Sequence, residues 1–448
     1  MKRIKIFLMM ALSSLMFFSC LKSQEDVFEE SSSLRLQKLI RAYKDTLAAS
    51  ENGWIMQYYP TPDKSYGGFN YWLKFDNDQT VSVYTNLTIG DGTVKTSLYD
   101  IISERGPLLT FNSYNDILHY FTTPSSKLYQ GYQSDYEFVI EGYKDGVFTL
   151  KGKIYGNTMY LVRLGDKKPG TYLSDVYKGS TMLVNGDFNC TTEEGTAMYF
   201  ESSGIVSFRY VEGEDTVVVS KPFALTDEGI DLNTAVEFKG HSLRRFRLDY
   251  SNGSYVCTDE GQDGIRFEYD HPDTYKKYED LVGDYYCVCG GLSASAGVIE
   301  EYLDSVKCTL SPTEDKKYLI ASNLVQVKTS GTGSDELVYE DREIKMKYDP
   351  FIGAFAMISQ VIDYNSRACI LGQTGSGFNM GENYFISYIT DGNGHFNADT
   401  KYSTVKGFKI FTATDLNFNT NTKITPTSGY WKCLDNLGSF TIVRWTKI

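Results

Sequence analysis

The sequence predicts a mainly β protein with one amphipathic helix near its N-terminus, and three observations support this. Aromatic residues make up 15% of the 448 residues, with 35 Tyr and 26 Phe, and aromatic side chains are enriched in strands. Only 10 Pro accompany 39 Gly, which favours an ordered chain over a disordered one. Finally, short apolar segments recur at a spacing of about ten residues between polar turns, as in antiparallel barrels and sandwiches.

The first nineteen residues have the pattern of a signal peptide. Lys2, Arg3 and Lys5 precede an apolar stretch over residues 6–18, which is too short to span a bilayer but suits a signal-peptide core. Cys20 follows the small residue Ser19, and this arrangement resembles the lipobox of bacterial lipoproteins. We therefore expect residues 1–19 to be removed and Cys20 to be lipidated.

The segment after Cys20 is acidic and predicts a tether, over residues 20–30. Glu25, Asp26, Glu29 and Glu30 form a cluster similar to the export signal that sends some lipoproteins of Gram-negative gut-type bacteria to the cell surface. The predicted location is therefore the outer membrane, facing the cell exterior. No later segment has 18 uninterrupted apolar residues, so the lipid is the only membrane attachment that we expect.

The helix is predicted directly after this tether. Apolar residues fall on one helical face, and residues 31–33, all Ser, are available as caps. Asn52 and Gly53 provide a left-handed stop. The members of the apolar stripe are Leu36, Leu39, Ile40, Tyr43 and Leu47.

Strands are predicted throughout the remaining chain, in three sections. Residues 31–165 combine the helix with an antiparallel sheet, whose segments include "WIMQYYP", "FNYWLKF" and three strands from "DYEFVIEG" onwards. The pattern breaks at "GDKKPG", and a middle β section covers residues 166–275. Residues 276–448 are predicted to form a C-terminal β-barrel or β-sandwich.

Charge and cysteine content exclude some classes of protein and some sites. The formal net charge of −13 disfavours binding to nucleic acid, since an acidic chain is repelled by phosphates. Eight cysteines are scattered along the chain without a CxxC pair. Cys287 and Cys289 share one face of a predicted strand, about 6.6 Å apart along it, and buried unpaired thiols are favoured there over a disulfide.

No linear motif in the sequence indicates a catalytic, cofactor or metal site. The four His do not form an HExxH motif, and GxSxG is absent. Residues 372–381 are rich in Gly but lack the order of a phosphate-binding loop. Residues 390–400 resemble a calcium loop only superficially, and a hairpin turn is the better interpretation. We therefore predict no catalytic residue, no cofactor and no metal site.

Several blocks of the N-terminal section resemble a family of domains of unknown function found in surface lipoproteins of gut-type bacteria. The blocks are "LQKLIRAYKDTLAASENGWIMQYYP", "GGFNYWLKF", "GPLLTFNSYNDILHYFTTP" and "DYEFVIEG". Members of this family are encoded beside SusC/SusD-like uptake systems. The resemblance implies an accessory role in nutrient capture, with a transporter, its lid and other surface lipoproteins as partners, and it brings no catalytic residues.

The aromatic residues behind the predicted helix have two interpretations. Trp54 and Tyr58 share one face of the following strand, and Tyr59 lies on the other. One set is expected to pack under the helix, since a short isolated helix is only marginally stable. The other set remains a candidate exposed platform, so that Trp54, Tyr58 and Tyr59 are candidate aromatic contacts for a ligand.

Two hypotheses for function follow from these observations. The first is a non-enzymatic surface lipoprotein that captures peptide or oligosaccharide for a SusC/SusD-like, TonB-dependent uptake system. The second is a surface hydrolase, a peptidase or glycosidase, whose site is assembled from residues distant in sequence. A convergent pocket with paired carboxylates or a metal triad would favour the enzyme, whereas an aromatic patch would favour binding.

Overall fold

A computed structural model describes residues 30–87, 92–180, 183, 186–202, 204–262, 264–292, 299–330, 338–365, 367–374, 377–399, 401, 403–413, 424–426 and 440–448. The predicted fold class is confirmed: the chain is mainly β, with an N-terminal helix and antiparallel, barrel-like sheets. The chain divides into an N-terminal unit, Met1–Asp63 with Phe69–Thr171, and a C-terminal unit, Lys64–Gly68 with Tyr172–Ile448.

The described part of the N-terminal unit consists mainly of a helix near its start and an antiparallel sheet of nine strands. The strand order is β4-β3-β2-β1-β9-β8-β7-β6-β5, which places β1 at the centre between β2 and β9. The elements are α1 (Ser32–Ala48), β1 (Trp54–Tyr58), β2 (Phe69–Phe75), β3 (Thr80–Tyr84), β4 (Lys95–Leu98), β5 (Asp100–Ser103), β6 (Pro107–Thr110), β7 (Glu137–Lys144), β8 (Val147–Gly152) and β9 (Thr158–Arg163).

Helix α1 forms where the apolar stripe predicted it and packs against strands β2, β5 and β6. The Ser31 hydroxyl caps its N-terminus by accepting a hydrogen bond from the Leu34 backbone N–H. Leu47 is fully buried, and the Tyr43 ring lies edge-on against Phe148 with centroids 5.3 Å apart. Leu39 remains 39% exposed, so the sheet covers the C-terminal half of the stripe better than the rest.

The middle of the chain forms a closed antiparallel barrel of eight strands, packed inside with Phe and other large apolar side chains. A helix that the sequence did not predict precedes it. This helix, α2, begins at Pro169, whose fixed φ suits a first helical position, and it buries Tyr172, Leu173 and Val176. The elements are α2 (Pro169–Ser180), β10 (Phe188–Cys190), β11 (Ala197–Ser202), β12 (Ile205–Glu212), β13 (Asp215–Leu225), β14 (Gly229–Phe238), β15 (His241–Asp249), β16 (Ser254–Cys257) and β17 (Arg266–Tyr269).

The remaining strands form a second barrel-like sheet, introduced by a 3-10 helix at Tyr278–Leu281. Pairing of β18 with β30 closes the path β18-β19-β20-β21-β22-β26-β27-β30 into a ring, around a core that includes Tyr285, Phe355 and Trp445. The strands are β18 (Gly283–Leu292), β19 (Ile299–Pro312), β20 (Tyr318–Ser330), β21 (Val338–Asp349), β22 (Ala354–Ile358), β23 (Gln360–Asp363), β24 (Ala368–Thr374), β25 (Gly377–Asn379), β26 (Phe385–Thr390), β27 (His395–Asp399), β28 (Phe408–Ala413), β29 (Ile424–Pro426) and β30 (Phe440–Lys447).

Six cysteines lie among the described residues, all six are buried, and none of these six forms a disulfide. Cys287 and Cys289 are buried, as predicted, and the sulfur of Cys287 lies 2.9 Å from that of Cys308 on the neighbouring strand. Cys20 and Cys433 lie outside the described residues. Within those residues, none of the helices combines the length and the apolar character that a membrane crossing requires.

Candidate functional site

The three aromatic residues predicted as candidate ligand contacts are buried. Trp54 and Tyr59 have no exposed surface, and Tyr58 is 1% exposed. Every residue of β1 is buried because the strand is central in its sheet and is covered on both faces. The expectation that one face of this strand forms an exposed platform is therefore wrong, and the three residues belong to the core.

Trp54 connects the strand to the helix before it. Its indole N–H donates a hydrogen bond of 2.9 Å to the carbonyl oxygen of Leu47, in the last turn of α1. Its ring packs against Phe148, with centroids 5.3 Å apart. The last carbonyls of a helix have no partner within the helix. Trp54, placed just after the turn that follows α1, bonds to one of them and also fills the core.

Tyr58 is a buried residue that contacts a long surface loop through its hydroxyl and its ring. Its hydroxyl bonds to the Ser134 hydroxyl at 2.6 Å and donates to the Asp135 carbonyl at 2.8 Å. Its ring stacks on Phe121 at 5.7 Å and 17°. Burial raises the pKa of the Tyr58 hydroxyl, so the group stays neutral and acts as a hydrogen-bonding anchor.

The loop supported in this way joins β6 to β7 and presents exposed tyrosines. We call residues 111–136 the tyrosine loop. Tyr129 is 81% exposed and Tyr114 is 67% exposed, while Tyr120 and Tyr136 are also exposed. Tyr114 and Tyr120 line a cavity of about 340 Å³, whose full lining is Tyr114, Asp116, Tyr120, Thr123, Pro124, Ser125 and Tyr132.

Short-range hydrogen bonds hold the tyrosine loop in a defined shape. The Asn115 side-chain oxygen accepts from the backbone N–H groups of Ile117 and Leu118, and its amide donates to Ser97 at 3.2 Å. Three apolar side chains of the loop, Ile117, Leu118 and Phe121, are buried. Local hydrogen bonds and buried side chains therefore hold the wall of the cavity in place.

The aromatic rings of the loop contact one another in two groups. Tyr120 and Tyr132 are stacked with centroids 6.4 Å apart. The ring of His119 lies between Tyr114, at 5.3 Å, and Tyr136, at 4.9 Å. Burial lowers the pKa of His119, which favours a neutral imidazole in the middle of this second group.

The lining of the cavity suits binding by stacking and hydrogen bonding. Flat tyrosine faces offer apolar contact with a polar group at the edge. Asp116 contributes a carboxylate to the lining, and Thr123 and Ser125 add hydroxyl groups. Among the residues described by the structure, no cluster of three or more His, Cys, Asp or Glu side chains is arranged to hold a metal ion.

The tyrosine loop was not predicted as a site from the sequence, because the predicted ligand contacts were aromatic residues in and next to a strand. The segment from 111 to 136 places five tyrosines between Asn, Ser, Thr, Pro and Gly residues. Loops lie on the surface, so aromatic residues inside a polar loop are better candidates for exposure than aromatic residues in an alternating strand. That contrast was present in the sequence and could have identified the loop.

Residues 24–250 match a family described as Domain of unknown function (DUF4302). This match covers just over half of the 448 residues and includes the tyrosine loop and the buried strand β1. No curated protein and no solved structure matches the chain. The extent of the family match shows that the chain belongs to the DUF4302 family.

Proposed function

We propose that this protein is a non-enzymatic surface lipoprotein that binds oligosaccharide for a SusC/SusD-like, TonB-dependent uptake system. The observation that supports binding is the tyrosine loop, where exposed rings line a cavity of about 340 Å³. The proposal for the cell surface derives from Cys20 and the acidic tether of residues 20–30. The proposal for an uptake partner derives from the resemblance of the N-terminal blocks.

Oligosaccharide fits the lining better than an extended peptide does. The C–H face of a pyranose ring is flat and apolar, so it packs on a tyrosine face, while its hydroxyls bond to carboxylate and hydroxyl groups. Tyr114 and Tyr120 provide the faces, and Asp116, Thr123 and Ser125 provide the polar partners. The cavity lies within the size range of small-molecule sites.

The lining also favours binding over glycoside hydrolysis. A glycosidase uses two carboxylates at a defined separation, whereas among the described residues Asp116 is the single carboxylate that lines this cavity. The hydrolase remains the alternative function, and it makes a different prediction: incubation with a bound polysaccharide would release shorter products.

Native affinity electrophoresis tests the ligand class. The detergent-extracted protein is run through gels that contain purified polysaccharides, and at least one polysaccharide should retard it. Replacing Tyr114 and Tyr120 together by Ala should weaken that retardation by about tenfold or more, since each aromatic contact contributes about 0.5–1.5 kcal/mol. Tyr364→Ala removes a ring that is 69% exposed in the C-terminal unit and serves as the matched control.

Two results would contradict oligosaccharide binding at the loop. One is free migration of the wild-type protein in every polysaccharide gel together with retention on immobilised peptides, which would identify peptide as the ligand. The other is equal loss of retardation in the double variant and in the Tyr364→Ala control.

The uptake partnership is tested by pull-down through a C-terminal tag after mild detergent extraction. A SusC/SusD-like transporter and its lid should be recovered with this protein, because lipid anchoring confines the partners to one plane and raises their effective concentration. Recovery of this protein alone, with the transporter present in the extract, would contradict a stable complex.

A further inference from the structure

A second cavity, in the C-terminal unit, carries a different chemistry from the tyrosine loop. Its volume is about 260 Å³, and helix α2, strand β21 and the turn before β26 enclose it. We call it the lysine pocket, lined by Ser174, Tyr177, Lys178, Lys347, Gly381, Glu382 and Asn383.

Most charged groups of the lysine pocket already have partners. Lys178 lies 3.4 Å from Asp175 and 3.9 Å from Glu382. Both carboxylate oxygens of Glu382 lie 2.8 Å from the Tyr318 hydroxyl, which donates to them. Glu382 is therefore held in place by a neutral donor as well as by a cation.

Lys347 differs from these groups. Its side chain is half-buried on β21, and within the described part of the chain its ammonium has no ion pair within 4 Å and no hydrogen bond. Burial lowers the pKa of Lys347, while Glu382 and Asp349 act in the opposite direction. A desolvated ammonium without a partner is unfavourable, and an anion in the pocket would remove that cost.

Two neutral polar side chains, Tyr177 and Asn383, line the same pocket as Lys347. Asn383 donates to the Tyr177 hydroxyl at 3.2 Å, which leaves the Tyr177 O–H free to donate to a ligand. Lys345 and Lys178 lie over the Tyr318 ring at 5.5 and 5.8 Å. The pocket lining itself holds two lysines and one glutamate, which contrasts with the formal charge of −13 for the whole chain.

We propose that the lysine pocket binds a small anionic group, a carboxylate or a sulfate, through the Lys347 ammonium and the Tyr177 and Asn383 side chains. Charge-assisted hydrogen bonds to such oxygens are among the strongest that a protein makes. The site is separate from the tyrosine loop, and its existence does not depend on the function proposed above.

Equilibrium dialysis of the full-length protein with radiolabelled inorganic sulfate and, separately, with radiolabelled glucuronate tests this proposal at constant ionic strength. At least one probe should bind saturably, at one site per chain. Binding of glucuronate alone would identify a carboxylate on a sugar, and binding of sulfate alone would identify a sulfate-type group. Saturable binding of neither probe would overturn the proposal.

Three variants locate the binding site. Lys347→Met should weaken binding by about tenfold or more, because it removes one charge-assisted contact. Lys406→Met removes an exposed lysine outside the pocket and should leave the affinity unchanged. Glu382→Gln should strengthen binding, since it removes a negative charge from the lining.

The opposite directions expected for Lys347→Met and Glu382→Gln distinguish a ligand contact from a structural lysine. If Lys347→Met does not fold, Glu382→Gln still tests the site. Two results would overturn the assignment. One is an affinity of Glu382→Gln for the bound probe that equals that of the wild type. The other is an equal loss of affinity in Lys347→Met and Lys406→Met.

Discussion

Tyr58 and Tyr71 are buried neighbours on adjacent strands, with ring centroids 5.3 Å apart. The Tyr58 hydroxyl bonds to Ser134 and to the Asp135 carbonyl. Within the described residues, the Tyr71 hydroxyl is buried without a hydrogen-bond partner. The two hydroxyls therefore differ in their contribution to the stability of the fold, although both rings are buried side by side.

Replacing Tyr58 by Phe should lower the free energy of unfolding by about 1–2 kcal/mol, since it leaves two buried groups of the tyrosine loop without this partner. Tyr71→Phe is the matched control and should be neutral or stabilising, because it removes an unsatisfied buried hydroxyl. Urea denaturation measures both changes. Equal destabilisation by the two variants would show that the Tyr58 hydroxyl does not anchor the loop.

His119 should make stability depend on pH. Burial lowers its pKa below the ordinary value of 6.5, so the unfolded chain takes up a proton at a higher pH than the folded chain does. The free energy of unfolding should therefore fall as the pH drops through 6.5 toward the lowered pKa of the folded state. At pH values above 6.5 this contribution is fully present.

Chemical denaturation of wild type and His119→Gln between pH 8 and pH 5 measures the effect. The variant cannot titrate at this position, so its stability should fall less steeply with decreasing pH. The two proteins have all other titratable residues in common, so the difference between their profiles reports on position 119. Parallel profiles for the two proteins would contradict a lowered His119 pKa.

At the scale of elements, the turn between α1 and β1 is fixed by several hydrogen bonds. The Ser50 hydroxyl donates to the Gly53 carbonyl at 2.7 Å, and the Trp72 indole donates to the Asn52 carbonyl at 2.8 Å. Gly53 has a φ of 80°. A Cβ at Gly53 would lie 2.5 Å from the Leu73 carbonyl oxygen, so the close approach of β2 requires glycine here.

Gly53→Ala should therefore destabilise the protein by about 3 kcal/mol or more, through left-handed strain and overpacking against backbone. Gly165→Ala is the control, because Gly165 has a φ of 59° but has no atom within 4 Å of an added Cβ. That variant should cost only about 1–2 kcal/mol, from strain alone. Thermal or urea unfolding measures the loss of stability in the two variants. Equal losses would show that β2 can move away from the added Cβ at position 53.

At the scale of the whole molecule, the proposed membrane anchor is a lipid on Cys20. Cys20→Ala should release the protein from the membrane fraction and abolish labelling with palmitate, because a lipid on Cys20 is the proposed anchor. Ser13→Ala changes the apolar leader without touching the anchor and should fractionate like wild type. A Cys20→Ala variant that stays membrane-bound and labelled would contradict lipidation at this residue.

Local features of the fold could be predicted from the sequence, whereas long-range features could not. Helix α1 was predictable because its stripe from Leu36 to Leu47 is encoded within one short segment, although the helix ends at Ala48, before the stop predicted at Asn52 and Gly53. Helix α2 was not predicted, since its three buried residues lie in a segment that begins with Pro and Gly. Alternating strands were predictable, but the closure of β18 on β30 joins segments from opposite ends of the C-terminal section.

The sequence by itself determined the mainly β class, the N-terminal helix and the signal-like leader, because each is encoded in local periodicity or in a short motif. Only the tertiary structure decided which aromatic residues face solvent. A period of two shows that Trp54 and Tyr58 share a face, but whether that face is covered depends on the neighbours that pack on it. The same reason applies to the lysine pocket, where Lys178, Lys347 and Glu382 come together from segments far apart in sequence.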